Sequence, residues 1–266
     1  MAHKKAKLWF DEDLAQLLAD KLEPHYPSFD SKDFVRAVGE GVADLELKAR
    51  AEFIADNLRE QLPDDYKEAV NILVKSLGSE NPNETGMFTE FYWVMPYATF
   101  VEKYGLDDLE TSLRAIAEIT KRNTGEFAIR PFLEQYSDKT FEQMLRWSQD
   151  ENFHLRRLAS EGTRPRLPWA KKLDSVIENP SLTIPILENL KDDPVKFVQK
   201  SVANHLNDML KDNYEDAMSV LRRWSQDARK DRKWLIKHAL RKELKKKNPE
   251  ALALLGTLEK RCAHPT

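Results

Sequence analysis

Apolar residues recur at helical spacing along nearly the whole chain. Leu14, Leu17, Leu18 and Leu22 form one stripe, and Phe34, Val35 and Val38 form the next, after the cap-like pair Asp30–Ser31. Leu45, Leu47, Ala51, Ile54, Ala55 and Leu58 continue the pattern. Ala69, Val70, Ile72, Leu73 and Leu77 repeat it, and Gly78 is expected to stop that helix. Breaks rich in Pro and Asn separate the stripes, at Pro24–Pro27, Pro63, Asn81–Asn83, Pro165–Pro168, Pro180, Pro194 and Pro249. No alternating apolar–polar run is bracketed by turn residues, so the pattern predicts an all-α fold. The stretch FYWVMPYATF reads either as a buried helix kinked at Pro96 or as a cleft lining of Tyr92, Trp93 and Tyr97.

A repeat emerges in the second half. Trp147–Ser148–Gln149–Asp150 and Trp224–Ser225–Gln226–Asp227 are identical tetrapeptides, 77 residues apart. Midway lies ILENLKDDPVKFVQKSVANHL, from Ile186, with the same order of parts: an apolar helix, an Asp turn, then a basic second helix. The spacing, about 38 residues per turn, suits HEAT-like helical pairs. Such pairs bury their apolar faces only by stacking, which predicts an α–α superhelical solenoid. Equivalent positions then align, and Arg156–Arg157, Lys196–Lys200 and Lys233–Lys237 are expected to build a basic stripe on a concave face. A stripe of that kind suits regularly spaced phosphates, although charge runs are as often solvated helix faces. Trp147, Trp224 and Trp234 fall at repeat positions and read as core; His154, His205 and His238 read as surface or groove residues, not ligands.

Charge sharpens this picture. Among 266 residues the net charge is −3, which on its face disfavours a nucleic-acid partner. Residues 1–150 carry 18 basic and 29 acidic side chains, and residues 151–266 carry 24 and 16. The balances are −11 and +8, so the second half is where an anionic partner is expected. Cys262 alone makes no intramolecular disulfide, and no Cys cluster suits a structural zinc. No run of about 18 apolar residues predicts a membrane span, and MAHKKAKLWF lacks the apolar core of a signal peptide. A reducing, cytoplasmic setting is expected, with no metal and no small-molecule cofactor.

Two segments interrupt the helical pattern: TGEFAIRPF, Thr124 to Phe132, and SEGTRPRLPW, Ser160 to Trp169. Each sets a Glu beside a Gly, Glu126 and Glu161, 35 residues apart and so close to one repeat. The second crowds Arg164, Arg166, two prolines and Trp169 together. A base alkylated at a ring nitrogen is cationic and leaves readily, and the sugar it leaves becomes oxocarbenium-like. A nearby carboxylate stabilises both cations and orients a water toward C1′. A Trp face adds cation–π attraction, and arginines grip phosphates. Each residue also has a plainer reading. Glu126 suits a helix N-terminus, Glu161 suits pairing with Arg156 or Arg157, and Trp169 suits a core.

SEGTRPRLPW, with TGEFAIRPFLEQY before it and VQKSVANHLNDMLKDN after it, resembles the AlkC branch of the DNA alkylation repair glycosylases. The resemblance runs from roughly Phe10 to Leu255 and rests most on the SEGTRPRLPW string. It implies a monofunctional glycosylase of HEAT-like repeats that removes 3-methyladenine and 3-methylcytosine from duplex DNA gripped and bent on a concave basic face. It implies catalytic roles for Glu126, Glu161, Trp169 and Asp208. It places Arg156, Arg157, Arg164, Arg166, Lys200, Asn204 and Asn207 toward DNA; Lys237, in the basic run of the last repeat, is added to them. Many family members carry an immunoglobulin-like domain after the repeats, and none is expected here. A monomer of one HEAT-like domain is expected, with an acidic part at 1–120, repeats at 121–256 and a tail at 257–266. The alternative is a non-catalytic HEAT scaffold that binds damaged DNA or a protein.

Overall fold

The computed structural model describes residues 5–260. Cys262 and the segment 261–266 lie outside the described residues. The described part is helical, with no strand, and forms two compact units that divide between residues 135 and 136.

The first unit opens with a 3-10 turn, Ala6–Trp9, and carries α1 (Glu12–Leu22), α2 (Ser31–Gly41), α3 (Leu47–Gln61), α4 (Tyr66–Lys75), α5 (Met95–Tyr104), α6 (Leu109–Thr120) and α7 (Arg130–Gln135). α1 packs on α2, α3 on α5 and α4 on α6. Much of the acidic surplus marks where helices begin. Asp11, Asp30, Asp65 and Asp108 each accept a hydrogen bond from a backbone N–H of the following first turn. Gly78, beyond the end of α4, has φ +71, as a helix stop requires. Its carbonyl accepts from Arg122 Nη2 at 2.8 Å. Pro96 kinks nothing: it sits in the first turn of α5, where a missing N–H costs no helical bond. Trp93 and Tyr97 are core residues. So is Arg50, whose guanidinium donates to the carbonyls of Phe10, Ala43 and Leu45.

The second unit carries α8 (Ser137–Trp147), α9 (Phe153–Gly162), α10 (Asp174–Glu178), α11 (Ile184–Leu190), α12 (Lys196–Asp212), α13 (Tyr214–Ser225), α14 (Lys230–Lys245) and α15 (Pro249–Lys260). The predicted repeats are the pairs α8–α9, α11–α12 and α13–α14. Their second helices pack in series, α9 on α12 and α12 on α14. α15 runs through residues 257–260, which the sequence assigns to a tail.

The repeated tetrapeptide does the same work twice. Trp147 and Trp224 are buried, and the Ser after each donates to the carbonyl three residues back, at 2.6 Å and 2.7 Å. Arginines then tie each turn to the next repeat. Arg156 Nε donates to Asp193 at 2.6 Å and Nη1 to the carbonyls of Asp150 and Glu151; Arg232 bridges Asp227 and Asp192.

Candidate active site

Glu161 lies in the last turn of α9, so the helix extends into the segment that the sequence reads as irregular. It is buried, and both its oxygens are engaged. Oε1 accepts from Arg164 Nη1 at 2.6 Å, with Arg157 Nη2 at 3.6 Å; Oε2 accepts from Ser201 Oγ of α12 at 2.6 Å. Burial alone raises its pKa. The charges of Arg157 and Arg164 and the donors Ser201 and Arg164 outweigh that, and the carboxyl is held below its usual range.

Asp208 faces it from α12 and is also buried. Its Oδ2 accepts from Arg164 Nε at 2.9 Å and Nη2 at 2.7 Å, while Lys211 Nζ lies 4.0 Å from Oδ1. Here burial wins over Arg164, and the pKa is raised. Arg164 is thus one buried cation shared by two carboxylates of opposite tendency. Ser201 also donates to Ser160 Oγ at 3.1 Å, which extends the network across the α9–α12 seam.

The loop after α9 stays anchored. Arg166 forks onto Asp212 with two bonds of 2.6 Å. The chain then reaches Trp169, which is 73% exposed and holds φ +63. A large L-residue in the left-handed region is strained, and a large exposed indole hides little apolar area. The core reading of Trp169 does not hold. Lys171 and Lys172 follow it, both exposed.

Glu126 belongs to the first unit, buried in the turn before α7. That turn lies tight against α6. A Cβ on Gly125 would meet Thr120 Oγ1 at 2.5 Å and Ile116 Cγ2 at 3.0 Å. Gly125→Ala is therefore expected to cost about 1–3 kcal/mol in denaturant unfolding, and to disturb Glu126 with it.

The remaining sequence-derived positions divide sharply. Lys200 and Lys237 are exposed. Asn204 is half-buried and accepts from Arg241 at 2.9 Å. Asn207 is turned inward, donating to the Ala239 carbonyl of α14 at 2.6 Å. Arg157 lies over the Phe197 ring at 4.8 Å. Arg156 has four of its N–H bonds inside the Asp–turn ladder, an arrangement that joins repeats rather than reaching outward. Arg156→Ala is expected to lower the midpoint of thermal unfolding by several degrees.

Two further expectations change. His154 and His205 are buried, not in a groove; His205 Nδ1 contacts the Ser160 carbonyl at 2.9 Å across the α9–α12 seam. Trp234 is half-exposed, not core, and stacks on His238 at 4.9 Å and 11°. Ser201 is the site residue that sequence reading missed; nothing about a lone helical Ser distinguishes it.

Known proteins resemble the chain along most of its length. A sequence model of the family described as DNA alkylation repair enzyme matches residues 49–242. The uncharacterized protein YhaZ of Bacillus subtilis (strain 168) is 38% identical over 248 residues, 93% of this chain and 67% of that one. A solved structure of Pseudomonas fluorescens alkylpurine DNA glycosylase AlkC, bound to DNA containing an abasic site analog, is 35% identical. It covers 95% of this chain and 68% of that one, with a TM-score of 0.85, in agreement with a HEAT-like helical solenoid. The chain belongs to the DNA alkylation repair enzyme family, as an AlkC-type member.

Proposed function

We propose that the chain is a monofunctional DNA glycosylase that hydrolyses the N-glycosidic bond of cationic N3-alkylated bases in duplex DNA. The substrates are 3-methyladenine and 3-methylcytosine. The observation that carries this reading is the buried Glu161–Arg164–Asp208 network, beside a loop that holds Trp169 outward at a cost in backbone strain. The AlkC structure, bound to DNA with an abasic-site analog, supports duplex DNA as the partner.

The roles follow from the hydrogen bonds. Glu161 stays ionised, with each oxygen already accepting a hydrogen bond, and it stabilises positive charge on the departing base and the sugar. Asp208 keeps one oxygen open and is the more basic of the two. It takes the proton from the water that attacks C1′. The glycosidic electron pair leaves with the cationic base, which departs neutral. Trp169 offers an aromatic face to the cationic sugar or base. Glu126 carries the catalytic role that the sequence resemblance gives it.

A scaffold that only binds DNA has no need of two buried carboxylates around one arginine. Glu126→Gln and Glu161→Gln are each expected to slow excision from methylated duplex DNA at least tenfold, with helical content intact. Unchanged excision in both variants sinks the site; a wild type that binds the duplex and excises nothing favours the scaffold.

A further inference from the structure

The basic side chains of the second unit fall into two groups. Arg156, Arg164, Arg166, Arg222, Arg223 and Arg232 are each paired with a carboxylate. Among the described residues Lys196, Lys200 and Lys237 make no ion pair; Lys196 and Lys200, in the first half of α12, lie close enough to α14 to act on His238. Lys196 Nζ stands over the Trp234 ring at 2.9 Å, and His238 stacks on the same indole. The cluster begins 12 residues before Asp208 on α12, about 18 Å along the helix axis.

We propose that Trp234, His238 and Lys196 form an accessory subsite for a DNA phosphate flanking the lesion, and that His238 takes up a proton as that phosphate arrives. The inference rests on the glycosylase reading and adds a contact remote from the carboxylates.

Electrostatics favours an anion here. Burial and then the charges of Arg241, Lys200 and Lys196 hold His238 below its ordinary pKa. No charge on α13 or α15, the other helices packed on α14, acts on it. Burial likewise lowers Lys196, against a single opposing charge from Asp231, and it lowers Arg241, which feels Asp208. A phosphate placed among these cations relieves their mutual repulsion. It also offsets the cationic charges that hold the His238 pKa down, and the imidazole gains a proton in the complex. The indole fixes the position. It holds the ammonium and the imidazole on one ring system.

The test is calorimetric titration of the purified chain with a duplex carrying an abasic-site analogue, at pH 6.5, in two buffers of different ionisation enthalpy. Proton uptake on binding is expected for the wild type. His238→Gln is expected to abolish it and to weaken binding about fivefold, with the single-turnover excision rate at saturating enzyme unchanged. Trp234→Leu is expected to weaken binding to a similar degree, again without loss of that rate. Equal proton uptake and affinity in wild type and His238→Gln overturn the subsite while the glycosylase reading stands. Failure of the wild type to bind the duplex overturns both.

Discussion

Asp208→Asn is expected to lower the single-turnover rate of base release at least a hundredfold, with duplex affinity changed no more than about threefold. The amide keeps the volume and still accepts from Arg164 through its oxygen. It cannot take a proton from water, and that is the step assigned to Oδ1, the oxygen that Arg164 does not hydrogen-bond. Glu161→Gln is expected to be less damaging, because Glu161 acts by charge alone and other negative groups remain. pH separates the two. Burial raises the Asp208 pKa above the ordinary value of about 3.9, so excision is lost as pH falls through that raised value. Glu161, held low by Arg157 and Arg164, is still ionised there. The acid limb of the rate profile therefore belongs to Asp208.

Arg164→Met is expected to be the most destabilising substitution in the second unit, costing about 3–5 kcal/mol in chemical denaturation. The guanidinium lies between Glu161 and Asp208, and all three are buried. Removing it leaves two carboxylates with their desolvation uncompensated. Adding Glu161→Gln and Asp208→Asn to Arg164→Met is expected to recover much of the stability and none of the activity. Recovery without activity marks Arg164 as a group that holds the carboxylates. An Arg164→Met protein of normal stability and weak DNA affinity instead points to a direct phosphate contact, the role that the sequence resemblance implies.

The all-α fold was readable because its signals are local. Leu14 to Leu22 is an amphipathic stripe, Asp11, Asp30, Asp65 and Asp108 cap helices, and Gly78 ends one. The repeat was readable because WSQD recurs in the same setting. The site is another matter. Glu161 and Asp208 are 47 residues apart, and only the packing of α9 on α12 makes them share Arg164. A resemblance to known proteins placed them; residue spacing did not. Exposure was harder still. Trp169 and Trp147 are both Trp near apolar neighbours, yet one is 73% exposed and the other is core. His205 and His238 both sit in second helices of successive repeats, yet one is buried and the other is half-exposed. Which face a helix buries depends on its partner, and the partner is not written in the helix.

The central claim is that the carboxylate pair around Arg164 cleaves the glycosidic bond of a cationic base. Its most direct test is chromatographic detection of free base released from methylated duplex DNA by the purified chain, run beside Asp208→Asn and Glu161→Gln. Free 3-methyladenine and an abasic site are expected from the wild type, with release cut at least a hundredfold and tenfold in the two variants. DNA that binds but yields no free base, or release that neither variant alters, contradicts that claim.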